Sequence, residues 1–374
     1  MAFFVNDSVF FDIYLNGKQM PVTCGNVSNL NITENIYNIL PAMRLIILDD
    51  KNLFKSGLSA GSKISIKVGK DKETAAQNSY DFIVQGVPEV YDSQSLKVYT
   101  IYGILDKLKF QKCTDPFFKT GTSGQALNAL CKKCDLKYNG VFTFDEMTWC
   151  NGTKDYGSFA ANIVAHGYVS SKSLMASVVT LDGRFLYRNV NDLSPKYTFS
   201  NNKTLSKSFV FVQMNLKDNS GLYNLEYGYQ NQLCQFGLEN DNIFDSLSVS
   251  KTTSSVFNLS KTILDDVGQV RNTILEPDIG NFHKNWAKAE YQNIRQKALF
   301  SLEADFLFKA NLNLDLLQKV NLTYIDPQTN QTAMNKPSQF LLIGKTLSIN
   351  NGNYFERYTG VSTGLDSDFT GRLV

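Results

Sequence analysis

Histidine is nearly missing from this chain: its 374 residues include two, His166 and His283. Neither has a second histidine at metal-ligand spacing, and a Ser/His/Asp or Cys/His mechanism would rest on one of them alone, so both read as structural. An excess of one charge is missing too. Lys and Arg number 37 against 35 Asp and Glu, a net charge of +2, without the basic excess of a nucleic-acid binder. No apolar run approaches the ~20 residues of a membrane helix. The opening MAFFVNDSVFFDIYLNG is broken by Asp7 and Asp12 and has no Lys or Arg ahead of its apolar residues, so it is not expected to be a signal peptide. Six cysteines, at 24, 113, 131, 134, 150 and 234, are too sparse for a disulfide framework. A reduced, soluble protein is expected, with Asn-x-Ser/Thr triplets such as NVS (26–28) and NLT (321–323) incidental to an Asn-rich chain.

Aromatic residues are plentiful: 26 Phe and 18 Tyr, against a charged fraction of 19%. That balance suits surface meant for other protein, because interface cores gain aromatics and lose charges. The length accommodates two to four compact units.

The one motif with chemical promise is GTSGQALNALCKKCDLKY (121–138). On a helix capped by Ser123, residues Leu127, Leu130, Cys131 and Cys134 recur at i, i+3, i+4 and i+7, a single apolar stripe. A redox CxxC places its first cysteine at a helix N-terminus, whereas these lie at the C-terminal end, where the dipole opposes thiolate and Lys132 and Lys133 offset it in part. The cysteines therefore read as small core residues, with a labile thiol pair or a metal site as the alternatives. A four-cysteine zinc site would need Cys113 and Cys150, yet only one close pair is present. Gly121-Thr122-Ser123-Gly124 lacks the Lys-Ser/Thr of a phosphate-binding loop and reads as a helix entry. A second helix, SFAANIVAHG, is expected to end at Gly167. The acidic clusters LDD at 48–50 and 264–266 lack calcium-loop spacing and read as solvated turns. Two acids from distant segments meeting in a cleft, as in a glycosidase, stay open.

Strand and turn signals dominate both ends. Asn16-Gly17 and Asp182-Gly183 each stand between apolar runs and suit two-residue type I′ hairpins. In GSKISIKVG (61–69), Ile64, Ile66 and Val68 alternate with polar residues, the period of a half-buried strand. LQKVNLTYIDP (317–327) repeats this with Val320, Leu322 and Tyr324. DFIVQG (81–86) then matches QFLLIG (339–344), and KVYTIYG (97–103) more loosely matches ERYTGVSTG (356–364), at offsets of 256 to 259 residues. One β-barrel module present twice is the preferred reading; chance likeness of strand patterns is the alternative. The expected class is α+β, mainly β: two tube-like antiparallel β-barrel modules, an α+β domain and an inserted segment. The divisions are a first barrel at 1–112, an α+β domain at 113–198, a second barrel from 199–240 and 303–374, and an insertion at 241–302. KSFVFVQMNL (207–216) and LYNLEYGYQ (222–230) are expected as strands, and the Ser/Thr-rich 241–283 as long loops. A helix is expected over about 284–302, with Ala287, Tyr291, Ile294 and Ala298 on one stripe, followed by a strand in which Phe306, Phe308, Ala310 and Leu312 alternate with their neighbours.

This order resembles the central baseplate hub proteins of contractile phage tails, the family that includes late-control hub proteins and the hub part of type VI secretion spikes. The resemblance rests on MRLIILDDKNLFKSGLSAGSKISIKVG (43–69), TIYGIL (100–105), GTSGQALNALCKKC (121–134), MTWCNGTKDYGSFAANIVAHG (147–167) and the passage from Trp286 to Tyr324. It implies a homotrimer whose six barrels form a pseudo-sixfold ring that joins a sixfold tail tube to a trimeric central spike. The implied partners are the tail tube protein, the spike, other baseplate and tape-measure proteins, and DNA as passing cargo, without stable membrane association. The implied location is the virion baseplate, assembled in the host cytoplasm. No catalytic residue, cofactor or metal is implied. Three departures stand out: the chain ends at Val374, so the spike is expected to be a separate protein; Leu316-Leu317 replaces a Pro-Gly; and 241–283 matches nothing in the family. The competing readings are a cell-wall-degrading or carbohydrate-binding tail component using Asp145 and Glu146, and a receptor-binding adhesin.

Overall fold

A computed structural model describes residues 10–22, 24–49, 51, 53–54, 58–69, 73, 78–92, 97–170, 173–203, 205, 207–218, 232–236, 245–248, 271–275, 282–286, 288–290, 302–326, 328–329, 331, 339–350 and 352–362. The first sheet module is built from β1 (Phe10–Leu15), β2 (Lys18–Met20), β3 (Val27–Asn35), β4 (Ala42–Asp49), β5 (Lys63–Gly69), β6 (Ser79–Asp92) and β7 (Lys97–Leu105). Their spatial order is β2-β1-β5-β6-β7-β4-β3, antiparallel throughout. Asn16 (φ 49) and Gly17 (φ 82) turn β1 into β2, both left-handed as a type I′ turn requires. The period-two residues all point inward: Ile64, Ile66 and Val68 share one core with Leu30, Ile32, Leu45, Phe82 and Ile101. Each such side chain contributes about 1.5–3 kcal/mol by leaving water.

The α+β unit follows, with α1 (Leu108–Lys112), β8 (Phe118–Gly121), α2 (Ser123–Lys133), β9 (Lys137–Gly140), β10 (Met147–Cys150), α3 (Tyr156–His166), β11 (Met175–Val179) and β12 (Arg184–Asn189). β8 pairs with β10, and β12 lies between antiparallel β11 and parallel β9. α2 and α3 close over these ribbons with Leu127, Leu130, Phe159, Ile163 and Trp149 buried between them. The turn at Asp182-Gly183 differs from expectation. Gly183 N–H donates to Thr180 O at 2.9 Å and only Gly183 (φ 76) is left-handed there, giving a three-residue loop 181–183, with a type I turn ahead of the glycine.

Next come β13 (Pro195–Ser200), β14 (Ser208–Val210), β15 (Gln213–Asp218), β16 (Gln232–Phe236), β17 (Asp245–Ser248), β18 (Arg271–Leu275), β19 (Leu302–Phe308), β20 (Lys319–Thr323), β21 (Gln339–Asn350) and β22 (Asn353–Ser362). The second module runs β15-β19-β22-β21-β20-β13-β14. It is antiparallel from β15 to β20, while β13 lies parallel to β20 and β14. The expected loops at 241–283 hold part of a separate sheet, in which β16 pairs with antiparallel β17 and parallel β18. Of the expected helix, Trp286 and 288–290 are helical, but Leu302 already belongs to β19, and the strand expected through Ala310 and Leu312 ends at Phe308; Ala287, Tyr291, Ile294 and Ala298 lie outside the described residues, as do 222–230 and 264–266.

The two modules repeat one another. β5-β6-β7-β4 and β20-β21-β22-β19 have the same order and directions. In both, the pairing of the second strand to the third slips at the same place, between Val84 and Gly86 and between Leu342 and Gly344. Phe82 faces Gly103 closely in one, and Phe340 faces Gly360 in the other, because a Cβ on either glycine would lie 3.2 or 3.0 Å from the phenylalanine Cβ. The third strand therefore aligns TIYG (100–103) with RYTG (357–360). Leu317, where the resemblance has glycine, adopts φ 53. Left-handed backbone costs a non-glycine residue about 1–2 kcal/mol, and the buried Leu317 side chain in the second core more than offsets that.

Candidate functional surfaces

α2 is held by an acid and two hydroxyls. Its cap is Thr122, not the expected Ser123. Thr122 Oγ1 accepts from Gln125 N–H at 3.3 Å and Gln125 Oε1 accepts from Thr122 N–H at 3.2 Å, a reciprocal box that satisfies two free donors. Ser123 turns inward, where its N–H donates to Asp145 Oδ1 at 2.8 Å and its hydroxyl to Thr143 Oγ1 at 2.9 Å. Asp145 Oδ2 accepts from Tyr168 N–H at 2.7 Å. The anion that a helix N-terminus attracts is thus supplied by the chain itself. Asp145 is buried and Glu146 exposed, so the two acids suggested for cell-wall cleavage do not face a common cleft.

Cys131 and Cys134 are buried with the leucines of α2. Burial pushes the Cys134 thiol up to about 11 and the Cys131 thiol higher, with Cys134 adding to the effect on Cys131. Neither is a ready thiolate near neutral pH. Among the described residues, no three His, Cys, Asp or Glu side chains converge as metal ligands do.

The histidines, 117 residues apart, meet in one aromatic cluster. The His166 ring stacks on Trp286 with centroids 3.5 Å apart, its Nδ1 donates to Asn162 O at 2.8 Å, and Glu290 Oε2 lies 3.4 Å from its Nε2. His283 Nε2 donates to His166 O at 3.0 Å while its Nδ1 accepts from Asn285 N–H at 3.3 Å, the arrangement of a neutral ring. Burial lowers the His283 pKa. Sequence reading had no signal for this meeting.

Asp49 corrects the expectation of a solvated turn. Its buried carboxylate accepts from Leu53 N–H at 2.8 Å, Phe54 N–H at 3.0 Å and Lys51 N–H at 3.3 Å, closing the loop after β4 from inside.

The surface with the most architectural content is the seam between modules. Residues 29–35 of β3 pair antiparallel with 344–350 of β21, so β3 has β4 on one side and the second module on the other. Thr33 and Thr346 bring their hydroxyl oxygens to 3.2 Å. Buried polar groups line the seam: Glu34 Oε2 accepts from Leu181 N–H at 2.8 Å, and Lys345 Nζ lies 3.8 Å from Glu356 Oε1. Arg184 forks onto Asp315 at 2.6 and 3.1 Å. The 181–183 loop of the α+β unit is thereby clamped to both modules. Elsewhere Phe118, Phe142 and Phe144 stand exposed, Phe142 at 93%.

No protein-family model matches the chain, and no curated protein matches it. Solved structures do. The 43 kDa tail protein of prophage MuSo2 from Shewanella oneidensis matches with a TM-score of 0.61 at 10% identity, over 96% of this chain and 100% of that one. A tail protein from Neisseria meningitidis gives 0.61 at 10%, over 97% and 99%. An E. coli component of the type VI secretion system, described as structurally similar to bacteriophage T4 tail proteins, gives 0.51 at 10%, over 94% and 77%. Across nearly its whole length, this chain has the fold of phage tail proteins.

Proposed function

We propose that the chain is a structural, non-enzymatic hub of a phage tail baseplate, a homotrimer whose paired modules make a pseudo-sixfold ring between a sixfold tail tube and a trimeric spike. The observation that carries this is the internal repeat. Two sheet modules share strand order, slip position and the Phe/Gly contact, and they are fused edge to edge through β3 and β21. Three such chains present six near-equivalent faces while the α+β unit and the insertion keep threefold symmetry. The fold shared with tail proteins supports the setting, the virion baseplate assembled in the host cytoplasm, with tail tube, spike, other baseplate and tape-measure proteins as neighbours and DNA as cargo. The divisions at 1–112, 113–198, 199–240 with 303–374, and 241–302 belong to this proposal. The wall-degrading alternative loses its acid pair, since both Asp145 oxygens serve backbone N–H groups. Light scattering on the purified chain should give about 126 kDa, three times 42.0 kDa, and electron images should show rings as wide as a tail tube. A stable monomer at every concentration, with and without the spike, refutes the proposal.

A further inference from the structure

β21 has two neighbours in succession on one edge. Residues 339–341 pair with β20, the slip at Leu342/Gly344 follows, and 344–350 pair with β3. β6 begins identically: residues 79–83 pair with β5 and a slip follows at Val84/Gly86. Among the described residues, no strand covers that edge of 86–92.

The missing counterpart of β3 is β15. β3 pairs with β4 and β15 with β19, and β4 and β19 are equivalent strands, placed by Met43 opposite Gly103 and Ala304 opposite Gly360. This aligns LNITEN (30–35) with MNLKDN (214–219). β3 has strands on both sides; among the described residues β15 pairs only with β19. Its side chains show the lack. Leu30 and Ile32 are buried where Met214 and Leu216 are half-exposed, and Asn31 and Thr33 are half-buried where Asn215 and Lys217 are exposed. Tyr91 on β6 is 66% exposed. Among the described residues the chain thus carries one copy of each half of its own seam without a strand partner, on different modules, and edges of this kind invite strand addition.

We propose that residues 86–92 of one copy pair antiparallel with 213–218 of a second copy, repeating the β21–β3 seam between molecules. This rests on the trimeric hub reading and assigns its joint. The register transfers directly. β6 carries one further slip between Gly86 and Glu89, so Glu89 takes the place of Thr346 and Lys217 that of Thr33. Glu89 then stands opposite Lys217, Val90 opposite Leu216, Tyr91 opposite Asn215 and Asp92 opposite Met214. Because the two edges differ, the contact is head-to-tail, and under the threefold rotation of the hub reading it closes as a ring.

The test is disulfide trapping on the full chain. A Tyr91→Cys/Asn215→Cys chain and the neighbouring Val90→Cys/Leu216→Cys chain are purified, sized by light scattering and oxidised. At least one is expected to run as a covalent trimer on a non-reducing gel, with single-cysteine variants and the parent chain showing none. Tyr91 and Asn215 are exposed, so their replacement leaves the cores untouched; circular dichroism matching the parent confirms folding. Trimers by light scattering that fail to cross-link in both registers overturn this joint and leave the hub reading standing. A parent chain that stays monomeric at every concentration, with and without the spike, overturns both.

Discussion

Glu34 makes the seam sensitive to pH. Burial raises its pKa from 4.5 to about 7, against the opposing pull of the Lys345 charge and the Leu181 N–H, with Asp182 and Asp315 raising it further. Between these values the folded chain holds a proton that the unfolded chain has released. Stability therefore falls as pH rises from about 4.5 to about 7 and is level beyond. The gap corresponds to about 3 kcal/mol. Glu34→Gln retains a carbonyl oxygen for Leu181 N–H and removes the proton linkage. Urea unfolding of both chains, at one protein concentration and at pH 5 and pH 8, should show the variant ahead by less than about 1 kcal/mol at pH 5 and by about 3 kcal/mol at pH 8. A difference that is the same at both pH values, or larger at pH 5, refutes the reasoning.

Asp145→Asn leaves Ser123 or Tyr168 N–H facing an amide donor and removes a charge from the start of α2; about 2–4 kcal/mol of stability should be lost, whereas Glu146→Gln should stay within about 0.5 kcal/mol. Alkylation of the native protein at pH 8, read by peptide mass, should modify exposed Cys150 far ahead of Cys131 and Cys134; equal rates would contradict the burial of α2. Gly103→Ala brings a Cβ within 2.9 Å of Met43 Cε and 3.2 Å of Phe82 Cβ, and Gly360→Ala one within 3.0 Å of Phe340 Cβ. Each should cost about 1–3 kcal/mol in thermal unfolding, while Gly86→Ala, with open space around it, should cost less.

Period-two alternation made β5 and β20 legible, since a strand with one face in a core must place Ile64, Ile66 and Val68, or Val320 and Leu322, on that face. Equal offsets between those strands and their successors exposed the repeat. The β3–β15 equivalence was hidden for a related reason: its members lie 184 residues apart, because 83 residues separate β15 from β19 where six separate β3 from β4, and the constant spacing of the other strands does not reach it. The parallel placement of β13 and the meeting of His166 with His283 depend on contacts across more than a hundred residues, which local pattern does not carry. Thr122 rather than Ser123 caps α2 because Asp145 and Thr143, distant in sequence, claim the Ser123 donors.

The seam also sets a delay during synthesis. β3 is made early, but the strand that covers its outer edge, 344–350, follows after some 309 further residues. At about 5–20 residues per second the ribosome takes on the order of 15–60 s to supply it. Throughout that interval the nascent first module displays a bare edge to neighbouring chains on the same message. Overproduction at high temperature should thus favour inclusion bodies, and slower translation should favour the soluble form.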